Sequence, residues 1–261
     1  MNRTAEDDIG KHMRVAIRYA AGSDVGRARE NNEDSAYAGP WLLAVADGMG
    51  GHVGGEIASS LAIQALSAID HEVPQAKLVE VVERAVLAAN QAIAQKVEEE
   101  PALQSMGTTC TAMLWSGTHT ALAHIGDSRA YMLREGILYQ ITEDHTLEKM
   151  LTGEDGAAPH LANRLVRVLD GRPERKPDLS LREALPGDRY LLCSDGLSGP
   201  VDAETMHQVL TAESDPAAAV GRLISAANQG GGPDNVTVIV VDVVAEGAEA
   251  AAPVIVGAAE G

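Results

Sequence analysis

Apolar positions along the chain alternate between two periods, and the switches divide it into strands and helices. Val15–Ala21 and Trp41–Ala46 predict strands, the second running into the loop Asp47-Gly48-Met49-Gly50-Gly51. Glu56–Ile69 has helical character. From Gln75 to about Glu99, Leu78, Val82, Val86, Ala89, Ile93 and Val97 recur at steps of three and four. That spacing predicts one long amphipathic helix, stopped by Pro101, with Glu98-Glu99-Glu100 as a solvated terminus. Four strand-like runs follow: Thr108–Trp115, Thr118–Ile125, Arg129–Leu133 and Ile137–Ile141. Their connectors, Ser116-Gly117, Gly126-Asp127-Ser128 and Glu135-Gly136, are hairpin signals, so the sheet they build is antiparallel.

A polar stretch, Thr142–Pro159, interrupts the strands and leads into a piece expected to be helical, His160–Leu169. Strands at Leu179–Arg182 and Arg189–Ser194 come next, then helices at Asp202–Thr211 and Pro216–Gln229 and a last strand, Asn235–Val244. Residues 1–13 are polar and of mixed charge, and 245–261 are rich in Ala, Gly and Glu; both are expected to be disordered. One domain, 14–244, remains. Many strands with two paired helical zones predict an α+β fold. It is a four-layer α/β/β/α sandwich, two central antiparallel β-sheets flanked by helices.

Composition narrows the function. With 261 residues and 45% hydrophobic content, the chain can bury a sizeable core. Phe is absent and aromatics are 3%, which argues against a stacking platform for single-stranded nucleic acid. Asp plus Glu is 38 against 20 for Lys plus Arg, a formal net charge of −18 that repels phosphate backbones and anionic membranes. No nucleic-acid partner and no membrane segment are expected. Val236–Ala245, the most apolar run, is too short for a bilayer and carries Asp242, so a cytoplasmic location is expected. Cys110 and Cys193 sit inside apolar runs as buried, reduced thiols. Cys193 is followed by Ser194-Asp195-Gly196, not by an Arg-bearing phosphate loop, which excludes Cys-based phosphatase chemistry.

Four short sequences share one form, an apolar run or glycine loop ending in Asp beside Gly, Ser or Asn. They are Ala46-Asp47-Gly48, Gly126-Asp127-Ser128, Ser194-Asp195-Gly196 and Pro233-Asp234-Asn235. Each alone reads as readily as turn chemistry. Together they pose a hypothesis: carboxylates carried to one rim by separate strands repel unless divalent cations sit among them. All-oxygen ligation suits Mg²⁺ or Mn²⁺ rather than Zn²⁺. The glycine-rich run Gly48–Gly55 lacks the Lys-Ser/Thr ending of a nucleotide-binding P-loop.

Glu33-Asp34, Asp47-Gly48-Met49-Gly50-Gly51-His52, Gly107-Thr108-Thr109, Gly126-Asp127-Ser128-Arg129, Ser194-Asp195-Gly196 and Gly232-Pro233-Asp234-Asn235-Val236-Thr237 occur in this order. In these motifs the chain resembles the metal-dependent serine/threonine phosphatases of the protein phosphatase 2C type, most of all the bacterial PstP-type branch that opposes Ser/Thr kinases. The resemblance runs from about Arg18 to Val244 and implies hydrolysis of phosphoserine and phosphothreonine in proteins by a metal-bridging water. It implies two core Mn²⁺ or Mg²⁺ ions and a third, weaker site. Asp47 would bridge the core ions, with Gly48 giving its carbonyl to one; Asp195 and Asp234 would complete the other. Asp127, with Asp195, would hold the third. Asp34, with Glu33 beside it, would hold water on the metals, and Arg29 would bind the substrate phosphate, leaving Arg27 as a surface residue. Met49 stands where other branches carry a proton-donating His; the resemblance leaves two candidates for the general acid, His52 three residues on and a metal-bound water, with a loop-structuring role as the other reading of His52. Residues 142–163 match the family's flap beside the active site. Phosphorylated proteins, Ser/Thr kinases and kinase substrates among them, would be the partners of a monomer. The alternative is a catalytically silent pseudophosphatase that binds phosphoproteins; it would normally have lost a metal aspartate, and none of the four is missing.

Overall fold

A computed structural model describes residues 15–51, 53–151, 164–245 and 251–260. Two antiparallel sheets face each other. One runs in the order β1 (Val15–Asp24), β11 (Val236–Ala245), β10 (Arg189–Cys193), β7 (Arg129–Arg134), β8 (Ile137–Gln140). The other runs β12 (Val254–Gly257), β2 (Asp34–Ala38), β3 (Leu42–Met49), β5 (Cys110–Ser116), β6 (His119–Ile125), β9 (Asp178–Glu183). The short β4 (Gly107–Thr108) pairs with the end of β3.

Strand alternation sends one set of side chains between the sheets. Ile17, Tyr19, Leu43, Val45, Met113, Trp115, Leu122, Tyr190, Leu192, Ile239 and Val241 meet there, with Trp115 and Tyr190 edge to face at 5.4 Å. The opposite faces are covered by helices. α1 (Gly54–Ser67) and α2 (Leu78–Glu99) pack on the second sheet through Ala58, Ala62, Leu66, Leu78, Val82, Val86, Ala89 and Ile93. The periodic residues of the long helix are thus its buried stripe, although Gln75–Lys77 form a 3-10 turn before it. α5 (Ala203–Ala212) and α6 (Pro216–Gln229) cover the first sheet. Their starts are fixed by Asp202 and Asp215, which accept hydrogen bonds from the N–H groups of Thr205 and Ala218. Two single turns, α3 (Leu147–Met150) and α4 (Asp195–Ser198), complete the helices among the described residues. The four-layer α/β/β/α sandwich is as expected. Asp242, the one carboxylate within β11, is tolerated because Arg189 grips it with two N–H groups at 2.5 and 3.0 Å and Arg18 adds a third at 2.8 Å.

Two expectations are corrected. Within the piece expected to be helical, Arg164–Leu169 is not a helix: Leu165 bridges Thr146 and Leu169 bridges Thr108. The N–H of Val166 goes to His145 O and that of Leu169 to Thr108 O, which takes both donors out of a helical pattern. Residues 160–163, and with them the second half of the expected flap, 152–163, lie outside the described residues, as does the N-terminal segment 1–13. The tail is the second correction. Residues 251–260 are ordered, with Val254–Gly257 paired antiparallel to Ala38–Ser35 and Tyr19 Oη donating to Ala251 O at 2.9 Å. Overall Ala/Gly/Glu content hid a β-branched triplet, Val254-Ile255-Val256, that extends the sheet beyond β2.

A chain ended after Ala245 should therefore lose a strand pairing and partly buried apolar surface worth about 2 kcal/mol. Its thermal midpoint should fall by roughly 4–8 °C. An unchanged melt would show that the tail strand contributes nothing to the domain.

Candidate metal centre

The hairpin β2–β3 sets the floor of the site. Its register places Asp34 directly opposite Asp47, so two carboxylates become neighbours through strand pairing alone. From the facing sheet, Asp195 follows the end of β10 and opens α4, and Asp234 lies two residues before β11. Asp127 occupies the turn that crosses from β6 in one sheet to β7 in the other, so this connector is not the hairpin that its sequence suggests. All five thus come to one end of the sandwich.

The field they create on one another is visible in their ionisation. Asp34 is 1% exposed. Burial, reinforced by the charges of Asp195 and Asp234, pushes it up to about 8 against the opposing hydrogen bonds of Ser194 and Thr237. Burial and then Asp34, Asp195, Asp127 and Asp234 hold Asp47 well above the usual carboxylate range. Asp127 is pushed up to about 7 by burial, then by Asp195 and Asp144. Asp195 is raised by burial and by Asp234, while its hydrogen bond with Asp47 acts in the opposite direction. Two carboxylates in that contact need a proton or a cation between them. Among the described residues no three acidic, imidazole or thiol side chains close to the spacing of a filled metal shell. The donor chemistry nevertheless fits Mn²⁺ or Mg²⁺: oxygen donors, an excess of negative charge, and buried carboxylates that bound cations would relieve in place of protons.

Main-chain contacts hold these groups in place. The Asp47 carbonyl accepts from Thr108 Oγ1 and from Thr109 N–H, both at 2.9 Å, and the Asp47 N–H donates to Thr109 Oγ1 at 2.9 Å. At Gly48 a Cβ would lie 2.2 Å from Gly55 O and 2.5 Å from Glu33 O, so no larger residue fits. A Cβ at Gly55 would come within 1.9 Å of Glu33 Oε2, which places the Glu33 carboxylate against the first turn of α1. Ser194 Oγ donates to Asp34 Oδ2 at 2.7 Å and accepts from Thr237 N–H at 3.0 Å, tying the buried Asp34 to the opposite sheet.

Arg29 stands at the rim, its Nη2 2.7 Å from Asp234 Oδ2. Its loop is laid against the Asp234 turn by Asn235, which donates to Val25 O and Asn31 O at 3.0 and 2.8 Å and accepts from Glu33 N–H at 2.8 Å. Gly26 makes this close approach possible: with φ +81°, a Cβ there would lie 2.2 Å from Asp234 O. Arg27 is more exposed and reaches Asp24 only at 3.9 Å. Of the expected site residues, Arg29, Glu33, Asp34, Asp47, Gly48, Asp127, Asp195 and Asp234 converge here. Met49 ends β3, and His52 lies outside the described residues. Sequence reasoning gave no role to Thr108, Thr109, Ser194, Asn235 or Thr237; their signal was membership of the same motifs as the aspartates. Both cysteines are buried and pushed up to about 12 by that burial, so neither is a nucleophile.

With aspartates gathered at one end of an antiparallel α/β/β/α sandwich, the chain belongs to the protein phosphatase 2C family, whose sequence model matches residues 22–228. It is 50% identical over 253 residues to the serine/threonine protein phosphatase PstP of Mycobacterium tuberculosis, covering 95% of this chain and 49% of that one. The chain thus spans about half the length of the curated M. tuberculosis relatives it matches. The serine/threonine phosphatase stp of Listeria monocytogenes is 34% identical over 235 residues, 84% of this chain and 93% of its own. A crystal structure of the PstP catalytic domain in complex with two manganese ions superposes with a TM-score of 0.83 at 53% identity, covering 88% of this chain and 99% of that one.

Proposed function

We propose that the chain is a protein-serine/threonine phosphatase that hydrolyses phosphoserine and phosphothreonine in proteins, opposing Ser/Thr kinases. The observation that carries this reading is the convergence of all the motif aspartates beneath a rim arginine. Asp47 and the Gly48 carbonyl would hold the core ions together with Asp195 and Asp234, and Asp127 would hold a third with Asp195. When bound, the ions supply an activated water and offset charge on the phosphoryl oxygens. Asp34, anchored by Ser194, and Glu33 would orient the attacking water from below. Arg29 would receive two phosphate oxygens on its planar fork, with Asp234 fixing the guanidinium's position. Met49 has no proton to give to the leaving alkoxide, and His52 is the proposed donor from this loop. Phosphorylated kinases and their substrates are the proposed partners of a cytoplasmic monomer. Among the described residues no helix is long and apolar enough to cross a membrane.

Release of phosphate from a phosphothreonine peptide, compared with Mn²⁺, Mg²⁺ and chelator, tests the reading. Mn²⁺-dependent turnover abolished by chelator is expected. Arg29→Ala should raise KM about 10–100-fold and leave kcat within roughly fivefold, since it removes a charged hydrogen-bonding partner of the bound phosphate. Peptide binding without turnover under any metal would instead favour a phosphoprotein-binding role.

A further inference from the structure

We infer that His145 is a positioning residue, which sets the Gly126–Asp127 turn against the two chain segments that leave and re-enter around residues 152–163, with Asp178 choosing the imidazole tautomer that does so. The inference rests on the proposed role of Asp127 as ligand of the third metal.

His145 is buried, and four hydrogen bonds converge on it. Its Nδ1 accepts from Gly126 N–H at 3.1 Å, and its own N–H donates to Gly126 O at 2.8 Å. One residue therefore satisfies both polar groups of the residue before Asp127. Its carbonyl accepts from Val166 N–H at 2.9 Å, which joins the returning segment to the same turn. On the other side the turn is closed by Thr109. A Cβ on Gly126, whose φ is +118°, would lie 2.5 Å from Thr109 Cβ, and Thr109 Oγ1 is 2.7 Å from Ser128 Oγ. The Asp127 main chain is thus bracketed, and one arm of the bracket is an imidazole nitrogen.

That arm works in one protonation state only. To accept from Gly126, Nδ1 must be bare, so the ring proton sits on Nε2. Nε2 is 3.0 Å from Asp178 Oδ2, to which it donates. It is also 3.0 Å from Arg167 Nη1, a group that can only donate. Asp178 settles the competition: it takes the Nε2 proton on one oxygen and Arg167 Nη2 on the other at 2.8 Å. Burial lowers the His145 pKa, which keeps the ring neutral, and the neighbouring His124, at 4.9 Å between ring centroids, is pushed down to about 4 by burial as well. Without Asp178, Arg167 would donate to Nε2, the ring proton would move to Nδ1, and two N–H groups would face each other at Gly126.

The test is Asp178→Ala, a change at a largely solvent-exposed side chain. Imidazole ¹⁵N shifts should report the Nε2–H tautomer in the wild type and Nδ1–H in the variant. Mn²⁺ titration by calorimetry should show the weak site weakened about three- to tenfold with the two tight sites unmoved. Asp178→Ala/Arg167→Ala, which removes the competing donor, should recover most of the wild-type affinity; a merely structural role for Asp178 would not be rescued by losing a second residue. Unchanged weak-site affinity in Asp178→Ala, in a protein whose weak site is removed by Asp127→Ala, overturns the inference and leaves the Asp127 reading intact. A weak site that survives Asp127→Ala overturns that reading and the inference with it.

Discussion

Asp47→Asn and Asp47→Ala should each lower kcat on a phosphothreonine peptide by at least about a thousandfold, with the fold retained. Asp47 is the carboxylate that meets the charges of all four others, Asp34, Asp195, Asp127 and Asp234. No neighbouring carboxylate lies within the field of every other one in this way. The main chain should not follow the lost side chain, because Thr108 and Thr109 hold the Asp47 carbonyl and N–H independently of the carboxylate. The same substitution should move stability the other way. Removing one carboxyl from a mutually repelling, buried group should leave metal-free Asp47→Asn as stable as the wild type or more so near pH 8. Steady-state kinetics with Mn²⁺, bound-metal analysis and a melt in chelator measure all three properties. Near-normal activity in Asp47→Ala would show that the metal assignment is wrong.

The site was legible because four of its aspartates, Asp47, Asp127, Asp195 and Asp234, follow an apolar run or glycine loop beside residues that permit tight turns, and because six motifs keep a family order. What brings them together was not legible. The pairing of Asp34 with Asp47 depends on a strand, Asp34-Ser35-Ala36-Tyr37-Ala38, whose small and polar residues have no strand signature. It becomes a strand because all five are buried in the sandwich between β3 and a tail strand that composition marked as disordered. Arg164–Leu169 erred in the opposite direction: local apolar spacing suggested a helix, but bridges to Thr146 and Thr108 use its backbone groups. The support for Asp34 comes from Ser194 and Thr237 of the opposite sheet, a contact between positions 160 residues apart for Ser194. Local periodicity carries no information about such pairs. Layer order survived these errors because each helix needs only one apolar stripe and each sheet two faces to cover.

Metal-free protein should become less stable as pH rises from about 5 to 8, and Mn²⁺ should remove that loss. An aspartate in the unfolded chain titrates near ~3.9. In the folded chain Asp127 is raised to about 7 and Asp34 to about 8, with Asp47 and Asp195 raised too. Between those limits the native state holds more protons than the unfolded state, so the derivative of unfolding free energy with pH is negative. The stabilising contribution is complete below the unfolded value and is lost as pH climbs through the folded ones. One excess proton corresponds to about 1.4 kcal/mol per pH unit, or a melting shift of roughly 3–5 °C for a domain of this size. Divalent cations replace those protons, so Mn²⁺ affinity should rise across the same range and binding should release protons, measurable by calorimetry in buffers of different ionisation enthalpy. Asp47→Asn should flatten the metal-free slope, since it deletes one titrating group and relieves the others. A metal-free melting temperature that is level or rising over this range would mean that the carboxylates are ionised and apart, and that the aspartates at the two sheet ends do not form one electrostatic unit. A falling one, restored by Mn²⁺, ties the raised carboxylates at the ends of both sheets to one shared cation site.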